Sequence, residues 1–349
     1  MSYSNIDKPS KYFNTKLYTG NGSTQSITGV GFSPDWVWTK NRSTADSHEL
    51  YDIVRGATKR LISHSTAAEN TETYFSSFDS DGFTLSGNGN SNGNGNNIVA
   101  WCWDANGSGV SNTSGTISST VSANTTSGFS IVSYTGNGTA GATVGHGLGV
   151  APKMMIVKRR DGAVNWIVYH SGAGATKYLE LNTTEVAQLQ SSFNMFNSTA
   201  PTSSLFTLGN LSNTNGNTNT YIAYCFAEVK GFSKAFSYTG NGSADGTFIY
   251  TGMRPAFVLL KRTDSADNWV ILDNKRDTFN LTYKVLKPDS SAVEDTNTGS
   301  TRANVDFLSN GFKLRQTSDI ANASGGTYIG FAIAEQPFVS SKGIVANAR

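Results

Sequence analysis

The pentapeptide Tyr-Thr-Gly-Asn-Gly occurs three times in this chain, and this repetition constrains the fold more than any other feature. The copies span residues 18–22, 134–138 and 238–242. Each copy is followed by a proline, a mostly apolar run and a basic residue. Self-similarity at a near-regular spacing marks a duplicated structural unit. The sequence therefore predicts three copies of one unit, in which the shared positions are structural.

A proline anchors each copy and lies six residues before a lysine. The prolines are Pro34, Pro152 and Pro255. Proline is tolerated at the start of a strand, and a near-continuous apolar run is typical of a strand that is covered on both faces. Further short runs follow each anchor, separated by turns rich in Asn, Gly and Asp. They predict six or seven strands per copy, with the third strand at residues 60–62, 177–179 and 283–285.

Roughly 100 residues of short antiparallel strands are typical of a β-sandwich or jelly roll. We therefore predict an all-β fold of three tandem β-sandwich, jelly-roll-like repeats. One short helix is predicted at residues 183–193, where a threonine can cap the first turn. The segment 107–127 is predicted as a Gly/Ser/Thr linker, with an extra edge strand as the alternative. The remaining boundaries are an N-terminal arm at 1–10, repeats at 11–106, 128–229 and 230–338, and a C-terminal tail at 339–349.

The charge content argues against several classes of protein. Charged residues make up 15% of the chain, against about 25% in typical soluble domains. The formal net charge of +2 is too small for a nucleic-acid-binding face. No apolar stretch is long enough to form a membrane helix, and residues 1–12 lack the apolar core of a signal peptide. We therefore expect no nucleic-acid partner, no membrane insertion and no Sec export, so that the protein leaves the cell by assembly or lysis if it leaves at all.

The two cysteines occupy the same place in two copies. Cys102 and Cys225 align with each other, and Ala332 takes that place in the third copy. A position that accepts Cys, Cys and Ala is typical of a small buried site, because free cysteine packs as a small hydrophobe. A disulfide between repeats and a catalytic thiol are the alternatives.

Three features resemble catalytic or metal sites, but their context favours turns. Gly-His-Gly-Leu-Gly at 145–149 precedes a strand rather than the helix that a phosphate loop requires. Asp79 and Asp81 open a calcium-like loop, but a strand follows at once, which favours a hairpin turn and leaves an isolated calcium ion as the alternative. The four histidines do not share metal-ligand spacing; they are His48, His64, His146 and His170. We predict no catalytic residue, no cofactor, no metal site and no enzymatic activity.

Basic residues recur at the end of the proline-led strand in every copy. Surface charge clusters of this kind are usually solvated salt bridges of small energy. The alternative is three equivalent contact points for a partner surface or an acidic glycan. The candidate contact residues are Lys40, Arg42, Lys158, Arg159, Arg160, Lys261 and Arg262.

Several strings together resemble an uncharacterised domain family that is abundant in tailed bacteriophages, especially marine ones. They are Phe-Asn-Thr-Lys-Leu-Tyr-Thr-Gly-Asn-Gly-Ser at 13–23, Gly-Phe-Ser-Pro-Asp at 31–35, Ala-Trp-Cys-Trp at 100–103, Ala-Ser-Gly-Gly-Thr-Tyr at 323–328 and Ala-Glu-Gln-Pro-Phe at 334–338. The resemblance spans nearly the whole chain. It implies a virion surface protein and carries no catalytic residues. Only about ten residues precede the first repeat, so we expect docking through the repeats, or a decoration protein rather than a self-anchored fibre.

Two functional hypotheses follow from this resemblance. The first is a non-enzymatic structural protein of the phage virion, a capsid or tail decoration or a fibre component, whose partners are other virion proteins. One chain with three similar units could imitate a trimer and match a local threefold position, and a homo-oligomer is left open. The second is a tail-fibre adhesin that recognises a host surface polysaccharide. Either hypothesis places the protein on the virion.

Overall fold

The computed structural model of the chain describes residues 4–296 and 303–347, which consist almost entirely of short antiparallel strands. The first copy contains β1 (Phe13–Thr19), β2 (Gln25–Thr28), β3 (Trp36–Asn41), β4 (His48–Asp52), β5 (Lys59–Ile62), β6 (Asn70–Thr71), β7 (Phe75–Asp79), β8 (Gly82–Leu85) and β9 (Asn97–Trp103). A 3-10 turn at Pro9–Lys11 precedes them.

The second copy contains β10 (Val110–Asn112), β11 (Ser119–Asn124), β12 (Phe129–Thr135), β13 (Thr143–Gly145), β14 (Met154–Arg159), β15 (Ile167–His170), β16 (Lys177–Glu180), β17 (Gln188–Leu189), β18 (Leu205–Thr207) and β19 (Thr220–Phe226). The third copy contains β20 (Ser233–Thr239), β21 (Phe248–Tyr250), β22 (Met253–Arg262), β23 (Val270–Asp273), β24 (Val305–Leu308), β25 (Gly311–Leu314), the four-residue helix α1 (Asp319–Asn322) and β26 (Thr327–Pro337).

The three copies share one strand topology. In each main sheet the first long strand pairs with the last strand, which in turn pairs with the proline-led strand; these triplets are β1-β9-β3, β12-β19-β14 and β20-β26-β22. A separate small sheet accompanies each main sheet: β2-β8-β7, β13-β18 and β21-β25-β24. The repeated tyrosines lie at equivalent register positions, Tyr18 opposite Ile98, Tyr134 opposite Tyr221 and Tyr238 opposite Tyr328. The all-β class is confirmed, and the copies are called units 1, 2 and 3 below.

The repeated pentapeptide is a turn held by a buried asparagine. In unit 1 the Asn92 side chain is fully buried. Its carbonyl oxygen accepts the Asn21 N–H at 3.1 Å, and its amide donates to the Ser23 carbonyl oxygen at 2.6 Å. A Cβ on Gly20 would lie 2.4 Å from a backbone oxygen, and Gly22 has a φ of +67°. Both glycines are therefore required, the first by close approach and the second by backbone conformation.

The same arrangement recurs in the other two units. Asn215 accepts the Asn137 N–H at 2.9 Å, and Asn322 accepts the Asn241 N–H at 3.0 Å. Asn215 and Asn322 are also fully buried. The pentapeptide is thus a structural motif, because each of its hydrogen bonds stays within its own unit.

In every unit an aromatic pair joins the small sheet to the main sheet: Tyr18 with Phe83, Tyr134 with Phe206 and Phe236 with Phe312. The apolar core at this contact is called the outer core of the unit. Cys102 and Cys225 are free and fully buried in these outer cores. Burial raises the pKa of both thiols, that of Cys225 to about 12. A buried protonated thiol is unreactive, as expected for a small core position.

The opposite faces of the three main sheets share one central core. Trp36 of unit 1 stacks on Tyr224 of unit 2 with ring centroids 4.4 Å apart. Trp101 packs against Phe257 of unit 3 at 6.0 Å, and Phe226 of unit 2 packs against Phe331 of unit 3 at 5.3 Å. These residues belong to a single buried cluster. Each unit therefore contacts both others, and the three units close a ring.

The structure differs from the sequence-based description of two segments, 107–127 and 1–10. The segment 107–127, predicted as a linker, carries β10 and β11, which extend the main sheet of unit 2 beyond β12. Val121 on β11 is buried in the outer core of that unit, so the edge-strand alternative applies. The predicted N-terminal arm packs against the body, since Ile6 is 2% exposed and belongs to the central cluster.

Two predicted elements are wrong. Residues 183–193 form no helix, because the Thr184 carbonyl oxygen and the Ala187 N–H bond to unit 3 instead of to a helical turn. Residues 283–285 form no strand: Asp277 accepts the backbone N–H groups of Tyr283 and Lys284, and Val285 makes only an isolated bridge to Asp295.

Candidate functional site

The three recurrent lysines are buried between units. Lys40 donates to the Ser291 carbonyl oxygen of unit 3 at 3.1 Å. Lys158 donates to the Thr66 carbonyl oxygen of unit 1 at 2.9 Å. Lys261 donates to the Thr184 carbonyl oxygen of unit 2 at 3.1 Å. Each unit thus bonds to the preceding one in the same sense around the ring, and burial lowers the pKa of all three lysines to about 8.

A second set of contacts runs around the ring in the same direction. The Trp166 indole N–H donates to the Ile62 carbonyl oxygen of unit 1, and the Trp269 indole N–H donates to the Glu180 carbonyl oxygen of unit 2, both at 2.9 Å. His48 occupies the equivalent position of unit 1. Burial, followed by the nearby Lys40 charge, lowers the pKa of His48 well below its usual value.

A buried ionic cluster joins unit 1 to unit 2. The Glu69 carboxylate lies between Arg160 of unit 2, at 3.0 Å, and Arg55 of its own unit, at 3.1 Å. Arg55 also bonds to Asp52, and both of these side chains are fully buried. Asp52 accepts the Tyr224 hydroxyl of unit 2 at 2.7 Å. Each charge in the cluster therefore has a partner of opposite sign, as a buried charge requires.

An equivalent cluster joins unit 3 to unit 1. Glu294 lies between Arg42 of unit 1, at 2.7 Å, and Arg276 of unit 3, at 3.1 Å. Arg276 bonds to Asp273 at 2.6 Å. Asp273 accepts the Trp101 indole N–H of unit 1 at 3.0 Å, in the role that Asp52 plays for Tyr224.

The interface between units 2 and 3 carries no such cluster among the residues that the structure describes. His170 takes the place of the aspartate, and its ring faces the Gly330 carbonyl oxygen at 3.0 Å. The Gly172 N–H donates to the other ring nitrogen at 3.0 Å. His170 is therefore the neutral tautomer with its proton on Nε2, and burial lowers its pKa to about 4.

The predicted contact residues thus divide into two groups. Lys40, Lys158 and Lys261 are buried, and Arg42 and Arg160 are committed to glutamates of a neighbouring unit, so these five join units instead of forming exposed contact points. Arg159 and Arg262 are half-buried and make no salt bridge to a neighbouring unit within the described residues. They pair with Asp161 and Asp264 of their own turns at 2.7 and 3.0 Å, as solvated salt bridges do.

The remaining candidates lie in turns. His146 of the glycine-rich run is buried and faces the Thr202 carbonyl oxygen at 3.1 Å. Asp81 accepts the Gly29 and Gly31 N–H groups at 2.9 and 2.6 Å, and Asp79 accepts the hydroxyls of Ser77 and Thr84. Within residues 4–296 and 303–347, no group of three or more metal-ligating side chains converges. Within the same residues, no helix is long and apolar enough to cross a membrane.

Sequence reasoning missed the acceptors of these contacts. These acceptors lie in loops that carry no apolar pattern: Thr66, Thr184 and Ser291. Three residues after each acceptor comes the residue whose N–H bonds to the neighbouring unit, which is Glu69, Ala187 and Glu294 respectively. The recurrence of Ser/Thr-x-x-Glu in units 1 and 3 was a usable signal. So was the asparagine that precedes the last strand of each unit.

Replacing His170 with glutamine will make the stability less sensitive to acid. Glutamine keeps a donor near the Gly330 carbonyl oxygen but cannot be protonated. The histidine of the unfolded chain binds a proton below about pH 6.5, whereas burial lowers the pKa of folded His170 to about 4. Between these two values protonation favours the unfolded chain, so the free energy of unfolding decreases as the pH falls. Between pH 7.5 and 5 the wild type should lose about 2 kcal/mol more than H170Q, measured by urea unfolding. Parallel pH profiles would contradict this assignment.

Comparison with known proteins assigns the chain to a family. No curated protein matches this chain, and neither does any solved structure. One family profile, described as a domain of unknown function (DUF7483), matches residues 8–337, which include strands of all three units and the clusters that join them. The chain therefore belongs to the DUF7483 family.

Proposed function

We propose that this chain is a non-enzymatic structural protein on the surface of a tailed-bacteriophage virion. The observation that carries the proposal is the closed ring: one chain presents three similar units about a common core. Such a block offers a threefold-related set of surfaces without assembling a trimer. It docks as a single copy on a local threefold position of a capsid or tail, through the outer faces of its units.

Two further observations support this proposal. The sequence strings resemble a family abundant in tailed phages. The side chains that recur between units are committed to holding the ring together, since each inter-unit contact of Lys40, Lys158 and Lys261 ends on a backbone carbonyl oxygen of another unit. Recurrent residues that bond one unit to the next stabilise the arrangement of the three units.

Fractionation of phage particles tests the proposal. Antibodies against the purified chain should detect it on gradient-purified virions, and immunogold labelling should locate it on head or tail. Retention on capsids that lack tails would assign it to the head. A density map should then show one chain on each threefold position. Absence of the chain from purified particles would overturn the proposal, and copies placed only away from threefold axes would overturn its symmetry component.

We propose a host-glycan adhesin as the second candidate function. The observation that favours it is an open polar cleft between units 2 and 3. Binding of the purified chain to the envelope polysaccharide of the host, by sedimentation with polysaccharide-coated beads, tests it. Equal recovery with uncoated beads would exclude this function.

A further inference from the structure

The interface between units 2 and 3 differs from the other two interfaces at three corresponding positions. At the unit 1–2 interface, Arg55, Glu69 and Arg160 fill the space between the sheets. At the unit 3–1 interface, Arg276, Glu294 and Arg42 fill it. The corresponding residues at the third interface are Ala173, Ala187 and Thr263. Two charged side chains are replaced there by methyl groups and one by a hydroxyl.

The backbone shows that these positions correspond. The Glu69 N–H donates to the Arg160 carbonyl oxygen, and the Glu294 N–H donates to the Arg42 carbonyl oxygen. The Ala187 N–H donates to the Thr263 carbonyl oxygen at 3.0 Å in the same way. The same backbone contact therefore joins the units at all three interfaces, and only the side chains at these positions differ.

The space left behind is an open cleft of about 850 Å³, its mouth included. Its floor includes the main sheet of unit 3, where Ser237 and Thr239 lie on edge strand β20 and are exposed. Thr263 and Thr327 add two more hydroxyls, which lie 2.7 Å apart. Lys177 of β16 contributes an ammonium group from unit 2. Because most of the lining residues lie on strands β16, β20 and β26, we expect the cleft to be largely pre-formed.

Three polar side chains of the cleft are free to contact a ligand. The side chains of Lys177, Ser237 and Thr239 make no hydrogen bond to other residues within the described ranges. Among those residues, the lining also contains no carboxylate that could neutralise Lys177. Several hydroxyls beside one ammonium group suit a polyhydroxylated ligand with a negative charge, because charge-assisted hydrogen bonds are the stronger ones.

We propose that this cleft is a binding site for an acidic saccharide, with Lys177 contacting the carboxylate and the serine and threonine hydroxyls contacting the sugar hydroxyls. The proposal is independent of the structural role, and it deepens the second candidate function because it names the class of glycan that the same cleft would take. A chain that fails to bind the host polysaccharide could still bind a soluble acidic oligosaccharide, so the two failures are distinguishable. A chain that is absent from virions could still bind the sugar, and a virion protein could fail to bind it.

Isothermal titration of the full chain with a tetragalacturonate tests the site. We expect saturable binding with a dissociation constant below about 10 mM, and at least about tenfold weaker binding of a neutral tetrasaccharide because the charge-assisted contact is lost. Absence of binding, or equal binding of the neutral sugar, would overturn the proposal.

Two variants locate the site. Lys177→Gln alters a partly exposed side chain with no partner in the fold and should weaken binding about tenfold. Ala187→Glu returns to the third interface the side chain that the other two carry, and should abolish binding. The matched control is Lys59→Gln, at the equivalent position of β5, where Lys59 bonds to Thr71; it should leave binding unchanged. Unchanged binding in K177Q or A187E, or lost binding in K59Q, would move the site elsewhere and refute the assignment.

Discussion

Replacing Trp36 with alanine will destabilise all three units together, by about 3–5 kcal/mol. The Trp36 side chain is 1% exposed and stacks on Tyr224 of unit 2, with Phe129 and Phe226 close by. Truncation removes the apolar surface of the indole from the central core and leaves a cavity there. Since every main sheet lines that core, the loss is shared by units that lie far from residue 36 in the sequence.

Native-state hydrogen exchange measures this effect unit by unit. The protection factors of the amides in β9, β19 and β26 should each fall by about two to four orders of magnitude, at about 1.4 kcal/mol for each factor of ten. Phe279→Ala is the matched control, because Phe279 is 78% exposed and its loss should change the stability by less than about 0.5 kcal/mol. Loss of protection confined to β1–β9 would contradict a shared core.

The strand organisation could be predicted because it depends on local patterns. The run that became β9 alternates between residues that face the outer core, such as Cys102, and residues that face the centre, such as Trp101. Because that run recurs in β19 and β26, the sequence predicted a repeated unit and its approximate boundaries. The sequence also indicated that the proline-led strands are covered on both faces, but the pattern does not say what covers the second face.

The role of the lysines could not be predicted, because it depends on contacts between distant segments. Lys40 ends an apolar strand, which is where a solvated charge usually lies, and its acceptor Ser291 is 251 residues away. The failed helix at 183–193 has the same cause. Its Thr-Thr-Glu sequence is a plausible helix start, but the backbone groups of Thr184 and Ala187 gain partners in unit 3, and such tertiary contacts outweigh weak helix propensities.

Symmetry within one chain also explains why function is easier to place where the copies differ. A residue shared by three units, such as the buried Asn92, Asn215 and Asn322, is accounted for by the turn that it holds. The interface without charges at these positions is where we propose a ligand site. In a triplicated fold, the departures from the repeat are therefore the stronger functional signal.

The second large effect is expected at the ionic cluster between units 1 and 2. Asp52→Ala should destabilise the chain by about 3–5 kcal/mol, because it leaves Arg55 fully buried with less negative charge around it. Asp52 also accepts the Arg55 N–H and the Tyr224 hydroxyl, so these donors lose their partner as well. Urea unfolding measures the change. The matched control is Lys234→Ala, since the Lys234–Glu228 pair is solvent-exposed and should contribute less than about 1 kcal/mol.

A double variant separates the cost of stranded charge from the loss of packing. Asp52→Ala with Arg55→Ala removes both charges and makes position 55 resemble the unit 2–3 interface, where Ala173 lies naturally. If the penalty in Asp52→Ala comes from the uncompensated guanidinium, the double variant should recover part of the lost stability. A double variant that loses as much as the sum of the two single variants would show that the cluster contributes through independent contacts. The aspartate would then stabilise the ring without serving to neutralise the arginine.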